Sequence, residues 1–141
     1  MNTTLQHIEQ IAHEIREKLI CKLDEEYDSC FCKDLTGFCA IASSMLFVEC
    51  VKRGYDVKIR YNHNHVFLTY KHYVIDITAT QFDRKFSDVE IRRLKEMRQL
   101  KTTKPYWHKT YWDIKKTFLS VQDLQAHLVK EKWPHEQIPV L

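Results

Sequence analysis

Cys39, His65 and Asp76 are a thiol, an imidazole and a carboxylate, and a thiol at a helix N-terminus, a base and an orienting acid together make a cysteine-nucleophile constellation. The thiolate is the nucleophile, so a catalytic cysteine needs a base to take its proton and surroundings that favour the anion. Cys39 stands two residues after Gly37, at the head of a stretch that stays largely apolar through Val51. That spacing predicts a place in the first turn of a helix, where unpaired amides and the helix dipole favour negative charge. Asp34 or Thr36 could cap the turn, and Gly37 lets the chain enter it tightly. The same amides could receive an oxyanion, with the Cys39 N–H as first donor and Phe38 directly before it.

His65 and Asp76 fall on two predicted neighbouring strands, residues 65–70 and 73–78. A two-residue loop at Tyr70-Lys71 would set them directly opposite one another. A loop at Lys71-His72 would make them diagonal neighbours on one face. Their Cβ atoms would then be about 5 Å or about 7–8 Å apart. Either spacing lets Asp76 fix one imidazole nitrogen while the other faces the thiol, so that His65 serves as base and then as acid. Val66, Leu68, Ile75 and Ile77 on the opposite face would pack the core, leaving the polar pair on a face of its own. His63 shares the face of His65 and is an alternate base, whereas His72 belongs to the turn. Asn64 and Ser43 could help position a substrate. Each residue also has an ordinary reading. A cysteine in a buried helix is commonly a small hydrophobe, which is how Cys21 and Cys50 are read, and a strand histidine is commonly solvated. The three together, in this order and in these elements, favour catalysis.

The elements that must position them follow from periodicity. Leu5, Ile8, Ala12, Ile15 and Leu19 mark an amphipathic helix over residues 4–21, with an exposed acidic loop after it. Residues 38–53 are apolar almost all round, which predicts a helix buried at the centre, and Gly54 is a natural stop. Strands are expected at 56–61, 65–70 and 73–78. Ser87-Asp88-Val89-Glu90 has the form of a capping box opening a helix with Ile91, Leu94 and Met97 inward. A further strand is expected at 111–119, and Ser120 opens a last helix through Val121, Leu124 and Leu128. Helices followed by a strand cluster indicate an α+β fold, and 141 residues fit one domain, 1–141.

Net charge is +3, unevenly spread: residues 84–116 hold eleven Lys/Arg against four Asp/Glu. Such a stretch can steer an acidic partner, although a solvated helix face explains it as well. No run of eighteen apolar residues occurs, and residues at the start alternate polar and apolar, so neither a membrane span nor a secretory signal is expected. Five cysteines form an odd count without framework spacing, which points to a reducing, cytoplasmic setting or to delivery into a host cytoplasm.

The segments Asp34-Leu35-Thr36-Gly37-Phe38-Cys39-Ala40-Ile41-Ala42-Ser43, His65-Val66-Phe67 and Val74-Ile75-Asp76-Ile77-Thr78-Ala79-Thr80-Gln81-Phe82 together resemble the transglutaminase-like branch of the papain-like cysteine enzymes, in particular its small bacterial and phage members. The resemblance covers about a third of the chain. It implies a Cys-bearing central helix packed on a small antiparallel sheet, with Cys39, His65 and Asp76 as the triad. It implies acyl transfer from an amide through a thioester: deamidation or transamidation of a protein glutamine, or else peptide, isopeptide or small-amide hydrolysis. No cofactor and no metal are implied, and the partner is a protein substrate. Gln81 lies in the matching segment. No Gln shortly precedes Cys39, which departs from papain and leaves the second oxyanion donor unassigned.

Two other chemistries compete. Cys30-x-Cys32 with His63-x-His65 could form a Cys₂His₂ zinc centre, but alternate residues are a weaker clip than zinc-knuckle spacing and the choice would leave Cys39 and Asp76 unexplained. The run Lys104-Pro105-Tyr106-Trp107-His108-Lys109-Thr110-Tyr111-Trp112 interleaves aromatics and cations as single-stranded nucleic-acid platforms do. No nucleic-acid motif accompanies it. Trp107 could equally line the acyl-acceptor side of an enzyme cleft.

Overall fold

The computed structural model describes residues 2–27, 35, 37–83, 85–100 and 110–133. Among these the order is α1 (Thr3–Tyr27), α2 (Cys39–Lys52), β1 (Val57–Asn62), β2 (His65–Tyr70), β3 (Tyr73–Asp76), a 3-10 turn (Ala79–Gln81), β4 (Glu90–Arg93), α3 (Leu94–Gln99), β5 (Lys116–Phe118) and α4 (Val121–Lys130). The strands form one antiparallel sheet in the order β4-β3-β2-β1-β5. The fold is α+β, as the sequence predicts, and among the described residues no helix is long and apolar enough to cross a membrane.

The sheet is covered on both sides. One face buries Ile59, Tyr61, Val66, Leu68, Ile75 and Ile77 against α1, α2 and α4. Each fully buried aliphatic side chain there contributes about 1.5–3 kcal/mol of transfer free energy. Helix α2 is the hub of this layer: Cys39, Ala40, Ala42, Leu46, Phe47 and Cys50 are buried, and Ile41, Met45 and Val48 pack half-buried against the core. Its end follows the predicted device. Gly54 takes φ +84°, and the Gly54 and Tyr55 amides close on the carbonyls of Val51 and Cys50 at 2.9 and 3.0 Å.

The face carrying His65 and Asp76 is covered as well, by Phe67, Val74, Phe82, Phe86, Met97 and Tyr111. The expectation of a separate polar face is therefore corrected. Phe67 and Val74 share the face of the polar pair, and β2 is buried along all but its last residue. A strand enclosed in this way carries near-continuous apolar residues rather than strict alternation.

Four other predicted elements shift. Helix α1 runs on through the acidic stretch to Tyr27 because Leu23 continues the spacing of Ile15 and Leu19 and is buried, and Cys21 lies exposed on this helix rather than in the core. The third strand stops at Asp76. The strand expected at 111–119 shrinks to Lys116–Phe118. The capping box forms its reciprocal half, with the Ser87 amide donating to Glu90 Oε2 at 2.8 Å, but no helix follows. Glu90–Arg93 pairs instead with β3, and the helix begins at Leu94. Ladder pairing of Ile91 opposite Ile75 outweighs the local cap signal. The last helix opens where expected, with Ser120 Oγ accepting from the Asp123 amide at 3.2 Å.

Candidate active site

The loop between β2 and β3 is Lys71-His72, and Lys71 takes φ +53° to make the turn. With Leu68 opposite Ile75 and Tyr70 opposite Tyr73, His65 and Asp76 are diagonal neighbours on one face. His65 Nε2 and Asp76 Oδ2 are 2.7 Å apart and fully buried. The other carboxylate oxygen, Oδ1, accepts from the Thr78 amide at 2.9 Å and the Thr78 hydroxyl at 3.2 Å.

A second donor reaches Oδ2: the Tyr111 hydroxyl, at 2.6 Å. Tyr111 is held in place from both sides. Asn62 Nδ2 donates to the Thr110 carbonyl at 2.5 Å, and Arg98 Nε donates to the Tyr111 carbonyl at 2.9 Å. The His65 ring stacks over Phe67 and meets the edges of Phe82 and Tyr111, with centroids 4.5–6.2 Å apart. These contacts fix both the plane and the tilt of the imidazole.

Helix α2 delivers the thiol. Its first ladder bond runs from the Ala42 amide to the Phe38 carbonyl at 2.9 Å, so the Cys39, Ala40 and Ile41 amides stand ahead of the ladder. One turn after Cys39, on the same helix face, Ser43 Oγ donates to the Val66 carbonyl at 3.0 Å. That bond ties the head of α2 to the residue next to His65 and brings the thiol to the imidazole. Asp76 occupies Nε2, so Nδ1 is the nitrogen left for Cys39. Nδ1 is buried and makes no hydrogen bond of good geometry. The thiol is nonetheless close enough to raise the imidazole's proton affinity by charge and hydrogen bonding.

The electrostatics follow from these partners. Burial disfavours a charged imidazole, but the Asp76 carboxylate, and after it Cys39, outweigh burial and raise His65 from 6.5 to about 10. Burial likewise opposes the Asp76 charge, yet His65, Tyr111 and Thr78 hold its pKa below the usual carboxylate value. Burial and the adjacent Asp76 charge push Tyr111 well above the usual phenol range, so it remains a donor. The four side chains form a closed site: Cys39 is 1 % exposed, His65 0 %, Asp76 1 % and Tyr111 3 %.

The structure thus brings Cys39, His65 and Asp76 together as the sequence predicts. Phe38 is buried as the residue capping α2, with no side-chain cap bond. His63 lies in the exposed turn between β1 and β2, against Tyr61, and is not placed as a base. Asn64 is exposed in the same turn, where its amide donates to Asn62 Oδ1 at 2.9 Å. Gln81 ends the 3-10 turn after β3, its Nε2 buried without a partner among the described residues. Trp107, the possible caps Asp34 and Thr36, and the zinc candidates Cys30 and Cys32 lie outside the described residues. Among the described residues no three His, Cys, Asp or Glu side chains cluster to hold a metal.

Sequence reasoning missed Tyr111 and Thr78. Thr78 carried a signal, since a hydroxyl residue two positions after an aspartate suits a local side-chain turn. Tyr111 carried none, being 35 residues away and reaching Asp76 only through the tertiary fold. Comparison with protein-family models, with curated proteins and with solved structures finds no match for this chain.

Proposed function

We propose that the chain is a cysteine enzyme of the transglutaminase-like, papain-like kind, acting on a protein glutamine by deamidation or transamidation. The observation that carries the reading is the buried 2.7 Å bond from Asp76 to His65 Nε2, with Nδ1 left for the Cys39 thiol. The preference for glutamine over a peptide bond rests on the segment resemblance.

Nδ1 of His65 takes the thiol proton, and Sγ attacks the amide carbonyl carbon. The carbonyl electron pair moves to oxygen, which meets the Cys39 amide at the head of α2. Collapse expels nitrogen as His65 returns the proton to it, leaving a thioester on Cys39. Water or a primary amine, deprotonated by His65, then attacks the thioester and restores the thiol. Throughout, Asp76 stabilises the imidazolium and fixes its tautomer, while Tyr111 and Thr78 keep Asp76 a carboxylate. Because the thiol is buried, the reaction requires the wall over Cys39 to open.

The test is ammonia release from, or primary-amine incorporation into, a denatured glutamine-rich protein. Wild type should give one or both, and Cys39→Ala neither. Peptide-bond cleavage in place of both products would move the reading to a protease. Unchanged activity in Cys39→Ala would end it.

A further inference from the structure

Arg92 is paired with Glu90, and Arg16 faces Asp88 while donating to the Ile77 carbonyl. On one surface Arg60 and Arg98 are fixed by neutral partners, and the exposed Arg93 stands beside them. Arg60 donates from Nε to Thr69 Oγ1 at 2.9 Å and from Nη1 to Thr117 Oγ1 at 2.7 Å. Arg98 donates to the Tyr111 carbonyl and lies over the Trp112 ring at 5.2 Å. Arg93 is exposed, with Tyr73 and the Glu96 carboxylate acting on it. The Arg60 and Arg98 guanidinium groups are thereby positioned by neutral partners, and Glu96 is the carboxylate that acts on Arg93.

The fold gathers them. The Leu94 amide donates to the His72 carbonyl at 2.8 Å, pinning the start of α3 to the β2–β3 turn. That contact sets Lys95 and Arg98, one turn apart on α3, beside Lys71, His72 and Arg60. The result is a hollow of about 660 Å³ with no carboxylate among its described lining. A second hollow of about 330 Å³ adjoins it and shares Arg60, Thr69 and Lys71, with Asp56 as its one acidic wall residue. Like charges brought this close repel, and the arrangement gains stability when an anion sits among them. Guanidinium forks match phosphate oxygens two at a time. Thr69 lies four residues along β2 from His65, about 13 Å away by strand rise, so this groove is distinct from the triad.

We infer that the groove binds a small molecule carrying two or more phosphate groups, such as a nucleoside triphosphate or inorganic polyphosphate. The volume lies within the range of small-ligand sites, about 300–1,000 Å³. Tyr73 and Leu94 supply an apolar wall for whatever carries the phosphates. The proposal does not rest on the cysteine chemistry, although Arg98, which lines the groove, also holds the Tyr111 carbonyl.

Calorimetric titration with inorganic tripolyphosphate and with ATP, each without metal at low and physiological salt, tests it. Binding of either probe is expected, weakening at least tenfold in Arg60→Gln and in the exposed-residue variant Arg93→Gln/Lys95→Gln. The control Lys52→Gln on α2 should bind as wild type does. Stronger binding of ATP than of tripolyphosphate would assign the apolar wall to a base or sugar, and equal binding would restrict the site to phosphates. Absence of binding by both probes, equal loss in the Lys52→Gln control, or binding confined to an acidic peptide or an oligonucleotide would overturn it. Arg93→Gln/Lys95→Gln alters only exposed side chains, so it reports even where Arg60→Gln fails to fold.

Discussion

Replacing Asp76 by Asn removes one charge from a buried, hydrogen-bonded set, and the effect on stability should depend on pH in a way that identifies the partner. His65 titrates near 6.5 when unfolded and near 10 when folded. The folded state therefore binds the extra proton across that interval, and stability falls as pH rises through it. At about 1.4 kcal/mol per pH unit, an interval of about 3.5 units caps the contribution at about 5 kcal/mol. The same bond also depresses Asp76, so the figure is an upper bound for the pair. Breaking a buried ion pair by removing one partner costs about 3–5 kcal/mol, in the same range. Asp76→Asn should thus be less stable than wild type by about 3–5 kcal/mol at pH 6. The gap should narrow as pH approaches 10, leaving about 1–2 kcal/mol for the altered bonds to Tyr111 and Thr78. On the acid side wild type should lose its advantage as pH falls through the depressed Asp76 pKa, where the carboxylate protonates. Urea unfolding of both proteins at pH 6, 8 and 10 measures the gap directly. A gap that stays constant or widens with pH would refute the reasoning.

Other perturbations isolate single supports. Tyr111→Phe deletes the 2.6 Å donor to Asp76 and should cost about 1–3 kcal/mol in chemical denaturation, while lowering turnover more than it raises KM. Ser43→Ala breaks the tie from α2 to Val66; stability should fall by about 1 kcal/mol, and the pH profile of Cys39 reactivity should shift as the thiol loses its place. Gly54→Ala meets no atom within 4 Å but forces a side chain into φ +84°, so its thermal midpoint should drop by the equivalent of about 1–2 kcal/mol, with Cys39 reactivity unchanged.

The triad was legible because it depends on local pattern: a glycine and an apolar run place Cys39 at a helix head, and two β-rich runs a short turn apart place His65 and Asp76 on one face. What was not legible depends on tertiary contact. Glu90–Arg93 reads locally as the start of a helix and becomes a strand because β3 offers an edge. The acidic tail of α1 reads as loop until Leu23 is seen in the core. Phe67, between His65 and Thr69 on one face, was the cue that the face of His65 and Asp76 would be covered. Tyr111 reaches Asp76 through the clamp of Asn62 and Arg98, which no spacing encodes.

The central claim is that His65 activates Cys39. Alkylation of the individual cysteines, followed by peptide mass mapping from pH 5 to 9 in wild type and His65→Ala, tests it most directly. Two internal references are present: Cys21 is exposed, whereas Cys50 is buried, with burial, opposed by Arg53 and aided by Glu49, pushing its thiol up to about 12. Cys39, although buried, should react faster than Cys50 near neutral pH, and His65→Ala should slow it at least tenfold while leaving Cys21 unchanged. A Cys39 as inert as Cys50, or one indifferent to His65, would contradict the account.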